Sequence, residues 1–203
     1  LHELLVPAAP GVHLIPGASG LRDMAALDIA QVAAIIHAFD DLEDPVDYLI
    51  VDVAAGISPS VLTFMAACQR RLVVVQDQPA AMADAYALIK VMTQDQELEE
   101  IYLVANSTQS DAHGQQLAHF VNDVTVRFLG ATVKYLACID EDDQILLAQR
   151  KYRNVIDFAP ASRAAAAFRR LAEAVEKLPP IAQPGGQLQF FMERLLLAQQ
   201  SQG

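Results

Sequence analysis

An unbroken apolar run that ends in one acid, Tyr48-Leu-Ile-Val51 followed by Asp52, constrains the fold more than any other feature. Such a run is typical of a strand buried on both faces of a parallel sheet. In such sheets ligands bind at the carboxyl ends of the strands. Small residues follow, Ala54-Ala-Gly56. Asp52 is therefore a candidate to hold a magnesium-bound water, and the alternative is an acid that only caps the next helix.

Further strand-like runs alternate with helical ones along the chain. The predicted strands are Val12–Ile15, Leu72–Val75, Ile101–Ala105 and Val133–Ile139. Capping residues and apolar periodicity predict helices that begin after Asp28, Ser58, Ser110 and Ser162. This alternation predicts an α/β fold with a mostly parallel sheet flanked by helices on both faces.

The composition limits the class of partner and the compartment. The 203 residues carry 25 acids and 14 bases, a net charge of −11. This balance argues against nonspecific binding to nucleic acid, which needs clustered bases on the phosphates. Cys68 and Cys138 are isolated in sequence, which predicts reduced thiols in a cytoplasmic protein. We find no apolar run of transmembrane length and no signal-peptide pattern in this sequence.

The last residues form a separate segment. Residues 1–180 are predicted to form one α/β domain, and residues 181–203 a linker followed by an amphipathic helix. The apolar residues of this helix fall on one stripe: Leu188, Phe191, Met192, Leu195 and Leu196. Helices that lie on membranes usually carry several bases, and here only Arg194 is basic. The stripe therefore packs against the protein itself or a partner subunit, or it makes a peripheral contact with the inner membrane.

Three other groups of residues have two interpretations each. The acids Asp140–Asp143 form a metal site, or they stabilise the N-terminus of the following helix. The bases Arg150, Lys151 and Arg153 contact a partner, or they lie in a solvated loop. His113 and His119 are six residues apart, which does not place them on one helix face, and we expect both at the surface.

Several segments together resemble a known family. They are Asp52-Val-Ala-Ala-Gly-Ile57, Asp77-Gln-Pro79, Asp84-Ala-Tyr-Ala-Leu-Ile-Lys90, Val104-Ala-Asn106 and the tail from Gly186 to Leu195. The chain is similar to the ParA/MinD group of P-loop ATPases, above all its flagellar-number regulator (FlhG/FleN) branch. The resemblance implies a spatial regulator that cycles between an ATP-bound homodimer and an ADP-bound monomer. It also implies a regulatory protein partner.

The resemblance assigns roles to four residues. The residue matching Asp52 is catalytic and orients the water shell of Mg²⁺, and the residue matching Asn106 hydrogen-bonds the adenine of ATP or ADP. Asp140 and Asp142 lie in the segment that borders the base. These roles agree with side-chain chemistry, because an amide offers a donor and an acceptor together, and Mg²⁺ prefers carboxylate and water.

The sequence also departs from the family's pattern. It contains no G-x-x-x-x-G-K-[ST] motif and no lysine before Lys90, and Val53 stands where the family has Thr. Asp140 stands where the family has Pro. Backbone N–H groups and a lysine normally offset the charge of a triphosphate, so the sequence as given predicts no tight ATP binding.

Two explanations of these departures remain open. In the first, a strand and its phosphate loop precede Leu1, the sheet as given lacks its first strand, and the whole protein is an ATPase. In the second, the chain is a degenerate relative that acts as a non-catalytic interaction scaffold. Either way we expect an unpaired sheet edge, with low stability or self-association of the isolated chain.

Overall fold

The computed structural model describes residues 4–17, 28–40, 42, 46–95, 98, 100–179 and 190. The chain divides into two compact units. The first unit comprises Leu1–Gln69 with Ala182–Gly203, and the second comprises Arg70–Ile181.

Helices and strands alternate through most of the described chain. In chain order the elements are β1 (Val6–Ala9), β2 (Val12–Leu14), α1 (Ile29–Ala38), α2 (Pro59–Ala67), β3 (Arg71–Val75), α3 (Pro79–Lys90), β4 (Ile101–Thr108), α4 (Asp111–Leu129), β5 (Lys134–Asp140), α5 (Asp143–Arg150), α6 (Val155–Phe158) and α7 (Arg163–Glu176). A π-helical turn, Val91–Asp95, continues α3. None of the described helices is both long and apolar enough to cross a membrane.

The first unit begins with a β-hairpin. β1 and β2 pair antiparallel, and every residue of both strands is exposed. Gly11, at φ +73°, supplies the left-handed residue that such a tight turn needs. The strand predicted at Val12–Ile15 is therefore present as Val12–Leu14, but its partner is this hairpin and not the parallel sheet.

The core of the first unit is small and helical. Val32 and Ile36 of α1 are fully buried, and they cluster with Ala67 of α2 and with Phe190. The ring of Phe190 meets Phe39 edge-on, with centroids 5.1 Å apart. Its backbone N–H donates to the carbonyl of Ala67 at 3.4 Å. A residue near the end of the chain therefore closes the core formed near its beginning.

The prediction of a buried strand at Tyr48–Val51 is wrong. These residues have no regular secondary structure, and the side chains of Tyr48 and Ile50 are 61% and 89% exposed. An apolar run becomes a buried strand only when neighbouring strands complete its hydrogen bonds. In the described part of the chain no strand pairs with this run.

The second unit contains the parallel sheet that the sequence predicts. Its strand order is β3-β4-β5, and both pairings are parallel. The first five residues of the central strand β4, Ile101–Ala105, are buried on both faces. This pattern explains why the run is apolar without alternation, as expected for the middle of an α/β sheet.

Helices cover both faces of this sheet, as predicted. Ala167 of α7 packs with Val104 and Ile139 on one face. On the opposite face α4 approaches so closely that a Cβ on Gly114 would lie 2.7 Å from the Cβ of Cys138. Glycine at position 114 therefore permits the close packing of α4 on β5.

The predicted helix starts are confirmed by their caps. Asp28 and Gln31 form a capping box at the start of α1. Ser58, Ser110 and Ser162 each accept a hydrogen bond from a backbone N–H in the first turn of α2, α4 and α7. These bonds satisfy N–H groups that have no partner inside the helix, and each stabilises its helix by about 1 kcal/mol.

Candidate functional site

Asn106 lies at the carboxyl end of β4, beside a local irregularity of the sheet. In the β4–β5 ladder Asn106 pairs with Ile139 and Thr108 pairs with Asp140, which leaves Ser107 as an extra residue. Ser107 has φ +54°. This is a β-bulge, and bulges redirect side chains at the ends of strands. The predicted strand end at Ala105 is thus too early, since β4 continues past the bulge to Thr108.

The side chain of Asn106 has unused hydrogen-bonding capacity. It is half-buried and makes no hydrogen bond with the described residues. Its amide can therefore donate to and accept from a ligand at the same time, which is what the edge of an adenine requires. Asn106 fits the role that the sequence predicts for it, although that role stays a prediction.

Asp140 ends β5 next to Asn106. One carboxylate oxygen lies 3.5 Å from the hydroxyl of Thr108, and the other lies 3.8 Å from the guanidinium of Arg170. The backbone of Glu141 donates to the carbonyl of Thr108 at 2.8 Å. These contacts hold the ends of β4 and β5 together. The positive charge of Arg170 partly offsets the negative charge of Asp140.

Asp142 acts as a helix cap in this structure. One carboxylate oxygen accepts the N–H of Gln144 at 2.9 Å and the other accepts the N–H of Ala164 at 3.0 Å. These backbone hydrogen bonds, that of Gln144 first, lower the pKa of Asp142. The carboxylate thus joins the start of α5 to the start of α7. Its predicted place beside a base remains untested.

A histidine joins the loops that follow β3 and β4. The Nε2 atom of His113 lies 2.9 Å from a carboxylate oxygen of Asp77, and its Nδ1 atom accepts the N–H of Gln109. Because Nδ1 accepts, the proton of the neutral ring is on Nε2 and is donated to Asp77. His113 and His119 both lie at the surface, as expected, and the side chain of His113 is 26% exposed because of this contact.

The start of α4 is fixed to β5 by a second acid. Asp111 accepts the hydroxyl of Tyr135 at 2.7 Å and the thiol of Cys138 at 3.4 Å. The Tyr135 hydrogen bond is the main reason that the pKa of Asp111 is lowered. Burial and then Asp111 raise the pKa of Tyr135, and burial raises the pKa of Cys138. These groups therefore stay in one protonation state at neutral pH and fix α4 in position.

Asp52 belongs to the first unit. It is exposed, and it forms no hydrogen bond or ion pair with the described residues. The turn that follows uses Gly56 at φ +113°, a conformation that side chains with a Cβ rarely adopt. Ser58, not Asp52, caps α2. The exposed carboxylate fits a metal-bound water, and the alternative of a helix cap is wrong.

The structure brings three of the four predicted site residues together. Asn106, Asp140 and Asp142 lie at the carboxyl ends of β4 and β5 in the second unit. Within the described ranges, no group of three or more His, Cys, Asp or Glu residues could hold a metal ion, so the acidic run is not such a site there. The stripe of Leu188, Phe191, Met192 and Leu195 lies outside the described residues.

The Asp77–His113 contact was missed by sequence reasoning. The two residues are 36 positions apart, and neither belongs to a recognisable pair motif. A signal did exist, because each residue follows one of two adjacent parallel strands. The carboxyl ends of such strands meet at one edge of the sheet, so polar residues after them are candidates for contact.

Sequence comparisons find similarity to an antiactivator and to a flagellum site-determining protein. The chain is 39% identical over 196 residues to the antiactivator FleN of Pseudomonas aeruginosa, which covers 97% of this chain and 70% of that protein. It is 30% identical over 115 residues to the flagellum site-determining protein YlxH of Helicobacter pylori, which covers 57% of this chain and 38% of that protein. No family model matches the chain.

Structural comparisons agree on the fold. The septum site-determining protein MinD of Pyrococcus horikoshii, solved with Mg-ADP, matches with a TM-score of 0.67 and 20% identity, over 87% of this chain and 69% of that one. The MinD cell division protein of Aquifex aeolicus matches with a TM-score of 0.63 and 16% identity, over 90% and 72%. At these identities the likeness shows the MinD-like α/β fold alone.

Proposed function

The chain belongs to the ParA/MinD-type P-loop NTPase family, in its FlhG/FleN branch, and from this premise we propose that it is part of a nucleotide-dependent spatial regulator of flagella. The observation that carries the proposal is the 39% identity to an antiactivator FleN over 97% of the chain. The proposed protein binds ATP and ADP with Mg²⁺. It alternates between an ATP-bound homodimer and an ADP-bound monomer that engages a regulatory protein.

The adenine is proposed to bind at the carboxyl ends of β4 and β5. Asn106 supports this position because its amide is half-buried and makes no hydrogen bond with the described protein. Asp140 and Asp142 border the base only through the backbone around them, because Thr108, Arg170 and two N–H groups already engage their carboxylates.

Asp52 is proposed to serve the metal and the attacking water. An exposed carboxylate without an internal partner can hold a water of the Mg²⁺ shell at little cost in desolvation. When bound, Mg²⁺ neutralises the charge that develops on the transferred phosphoryl group. The task of this chain is then to orient one water, and the family's phosphate loop supplies most of the affinity for the triphosphate.

Nucleotide titration of the full gene product tests the proposal. We expect Asn106→Ala to weaken the binding of ATP and of ADP equally, by about tenfold. The two nucleotides share the adenine, and the substitution removes one or two hydrogen bonds to it. Asp52→Ala should leave ADP affinity unchanged and remove hydrolysis. Asp123→Ala, which removes an exposed acid on α4, is the matched control. A wild-type protein without affinity for either nucleotide contradicts the proposal.

A non-catalytic scaffold is the second candidate, and two residues favour it. Val53 places no hydroxyl beside Asp52, and Asp140 places a negative charge at the end of β5 where the family has proline. Restoring these residues distinguishes the two candidates. If Val53→Thr with Asp140→Pro creates nucleotide affinity that the wild type lacks, the natural protein is a scaffold on an inherited fold.

The tail is proposed to contact either protein, its own chain or a partner subunit, or a membrane surface. The burial of Phe190 against Phe39 and Phe64 in the first unit supports contact with the protein itself. Co-sedimentation with anionic vesicles, with and without residues 187–203, distinguishes the two. Equal pelleting of both forms excludes the membrane role.

A further inference from the structure

Positive charge is concentrated in residues 144–172, which span most of α5, α6 and the first part of α7. This stretch holds six of the 14 bases and one of the 25 acids, whereas the rest of the chain holds eight bases and 24 acids. The one acid, Asp157, accepts a hydrogen bond from the side chain of Asn154 at 2.6 Å. A basic region therefore lies on an otherwise strongly acidic protein.

The outer side of α5 combines this charge with exposed apolar groups. Leu146, Leu147, Arg150 and Lys151 lie on one side of the helix, where the exposed Asp143 occupies the first turn, and Ala148, on the other side, is 1% exposed in the core. The two leucines are 57% and 42% exposed. Neither base forms an ion pair with the described residues. We name these four residues the basic α5 face.

Tyr152 ends this face in an unfavourable conformation. It has φ +52° and is 99% exposed. The N–H of Arg153 donates to the carbonyl of Ala148 at 3.0 Å, and the N–H of Tyr152 donates to that of Gln149 at 2.9 Å. This is a Schellman motif, in which glycine normally takes the left-handed position. Tyrosine there gains no packing and carries conformational strain, so folding does not explain it.

We propose that the basic α5 face, with Tyr152, binds a short acidic and partly apolar segment of a partner protein. Arginine pairs with carboxylates through a planar fork, and an exposed tyrosine is a frequent anchor of interfaces. The two leucines would pack against the apolar side chains of the segment.

A short segment fits this surface better than an extended polyanion does. A membrane or a nucleic acid would extend beyond this face over the rest of the second unit, in which acids outnumber bases by 14 to six outside residues 144–172. Repulsion acts over about 8–10 Å at physiological salt, which confines favourable contact to the basic region. The inference goes beyond the proposed nucleotide function and does not require it.

A charge-reversal experiment tests the proposal. The probe is a fluorescein-labelled helical peptide of glutamate and leucine, about 15 residues long, and its binding is measured by anisotropy. We expect Arg150→Glu with Lys151→Glu to weaken binding at least about tenfold. Arg127→Glu with Lys177→Glu makes the same change of charge away from the face and should leave the affinity within about twofold.

Replacement of the strained tyrosine separates binding from folding. Tyr152→Gly should raise the midpoint of thermal unfolding by a few degrees, because glycine suits the left-handed position. The same substitution should weaken binding of the peptide about tenfold, because the tyrosine anchor is lost.

Three outcomes overturn the proposal. The first is equal peptide affinity for the wild type and the Arg150/Lys151 variant. The second is that the Arg150/Lys151 variant loses binding to phosphatidylserine vesicles or to single-stranded DNA, while its affinity for the peptide is unchanged. The third is that the wild type sediments as a dimer and the Arg150/Lys151 variant as a monomer, which would place the face between two copies of the chain.

Discussion

Two runs of apolar residues, one in each unit, differ in how far their side chains are buried. Ile101–Ala105 in the second unit forms the middle of a three-stranded sheet, and Leu103 there is 0% exposed. Tyr48–Val51 in the first unit has no described strand beside it, and Ile50 is 89% exposed. Composition is nearly the same in the two runs. The difference teaches that the partner strands, more than the run itself, determine burial.

The largest predicted effect comes from truncating the buried run. Leu103→Ala should lower the free energy of unfolding by about 4 kcal/mol, because it removes packed atoms and leaves a cavity in a rigid sheet. Ile50→Ala is the matched truncation in the exposed run and should change stability by under about 0.5 kcal/mol. Urea denaturation measures both. Similar losses for the two variants would break the comparison.

The next effect concerns the small core of the first unit. Phe190→Ala should cost about 3 kcal/mol, since the ring fills the space between Phe39 and Phe64. Hydrogen exchange should accelerate in α1 more than in β4. Phe128→Ala is a suitable control, because that ring is 62% exposed on α4. Equal acceleration in α1 and β4 would mean that the two cores open together.

A tight contact in the second unit should respond to the smallest added group. Gly114→Ala places a Cβ 2.7 Å from that of Cys138, so α4 must shift on the sheet. We expect a net loss of about 1–2 kcal/mol, although alanine favours the helix. Gly17→Ala in the first unit meets nothing within 4 Å and should be close to neutral. A stabilised Gly114→Ala variant would refute the tight packing.

The smallest effect depends on pH. The pKa of Asp111 is held below its ordinary value, chiefly by Tyr135, so the ionised acid stabilises the folded state above its unfolded pKa. Asp111→Asn should cost at most about 1 kcal/mol at pH 7. The gap between wild type and variant should close as pH falls through the folded pKa. Tyr135→Phe should produce the same pH dependence, and a gap that widens in acid would contradict this.

Most helices and strands of the fold could be predicted from the sequence, because they depend on local sequence patterns. Capping residues such as Ser58, Ser110 and Ser162 mark helix starts, and the apolar run at Ile101–Ala105 marks the central strand. The hairpin partner of Val12–Leu14 was not readable. Its pairing depends on the short segment before Gly11, which has no strong strand pattern.

The candidate site was readable only in part. Asn106 was identified through resemblance, and its place at the end of a strand followed from the alternation of elements. The bulge at Ser107 was not predictable, because a left-handed serine depends on the register of the neighbouring strand. The backbone partners of Asp142 were equally hidden, since one of them, Ala164, lies 22 residues away.

The two cysteines give each unit its own chemical reporter. Cys138 is 2% exposed beneath α4, and burial raises the pKa of its thiol, so alkylating reagents reach it only when α4 separates from the sheet. Cys68 follows α2 in the first unit and is half-buried. The rate at which a maleimide modifies Cys138 would therefore report how often α4 separates from the sheet, and the half-buried Cys68 would serve as a reference thiol in the same sample.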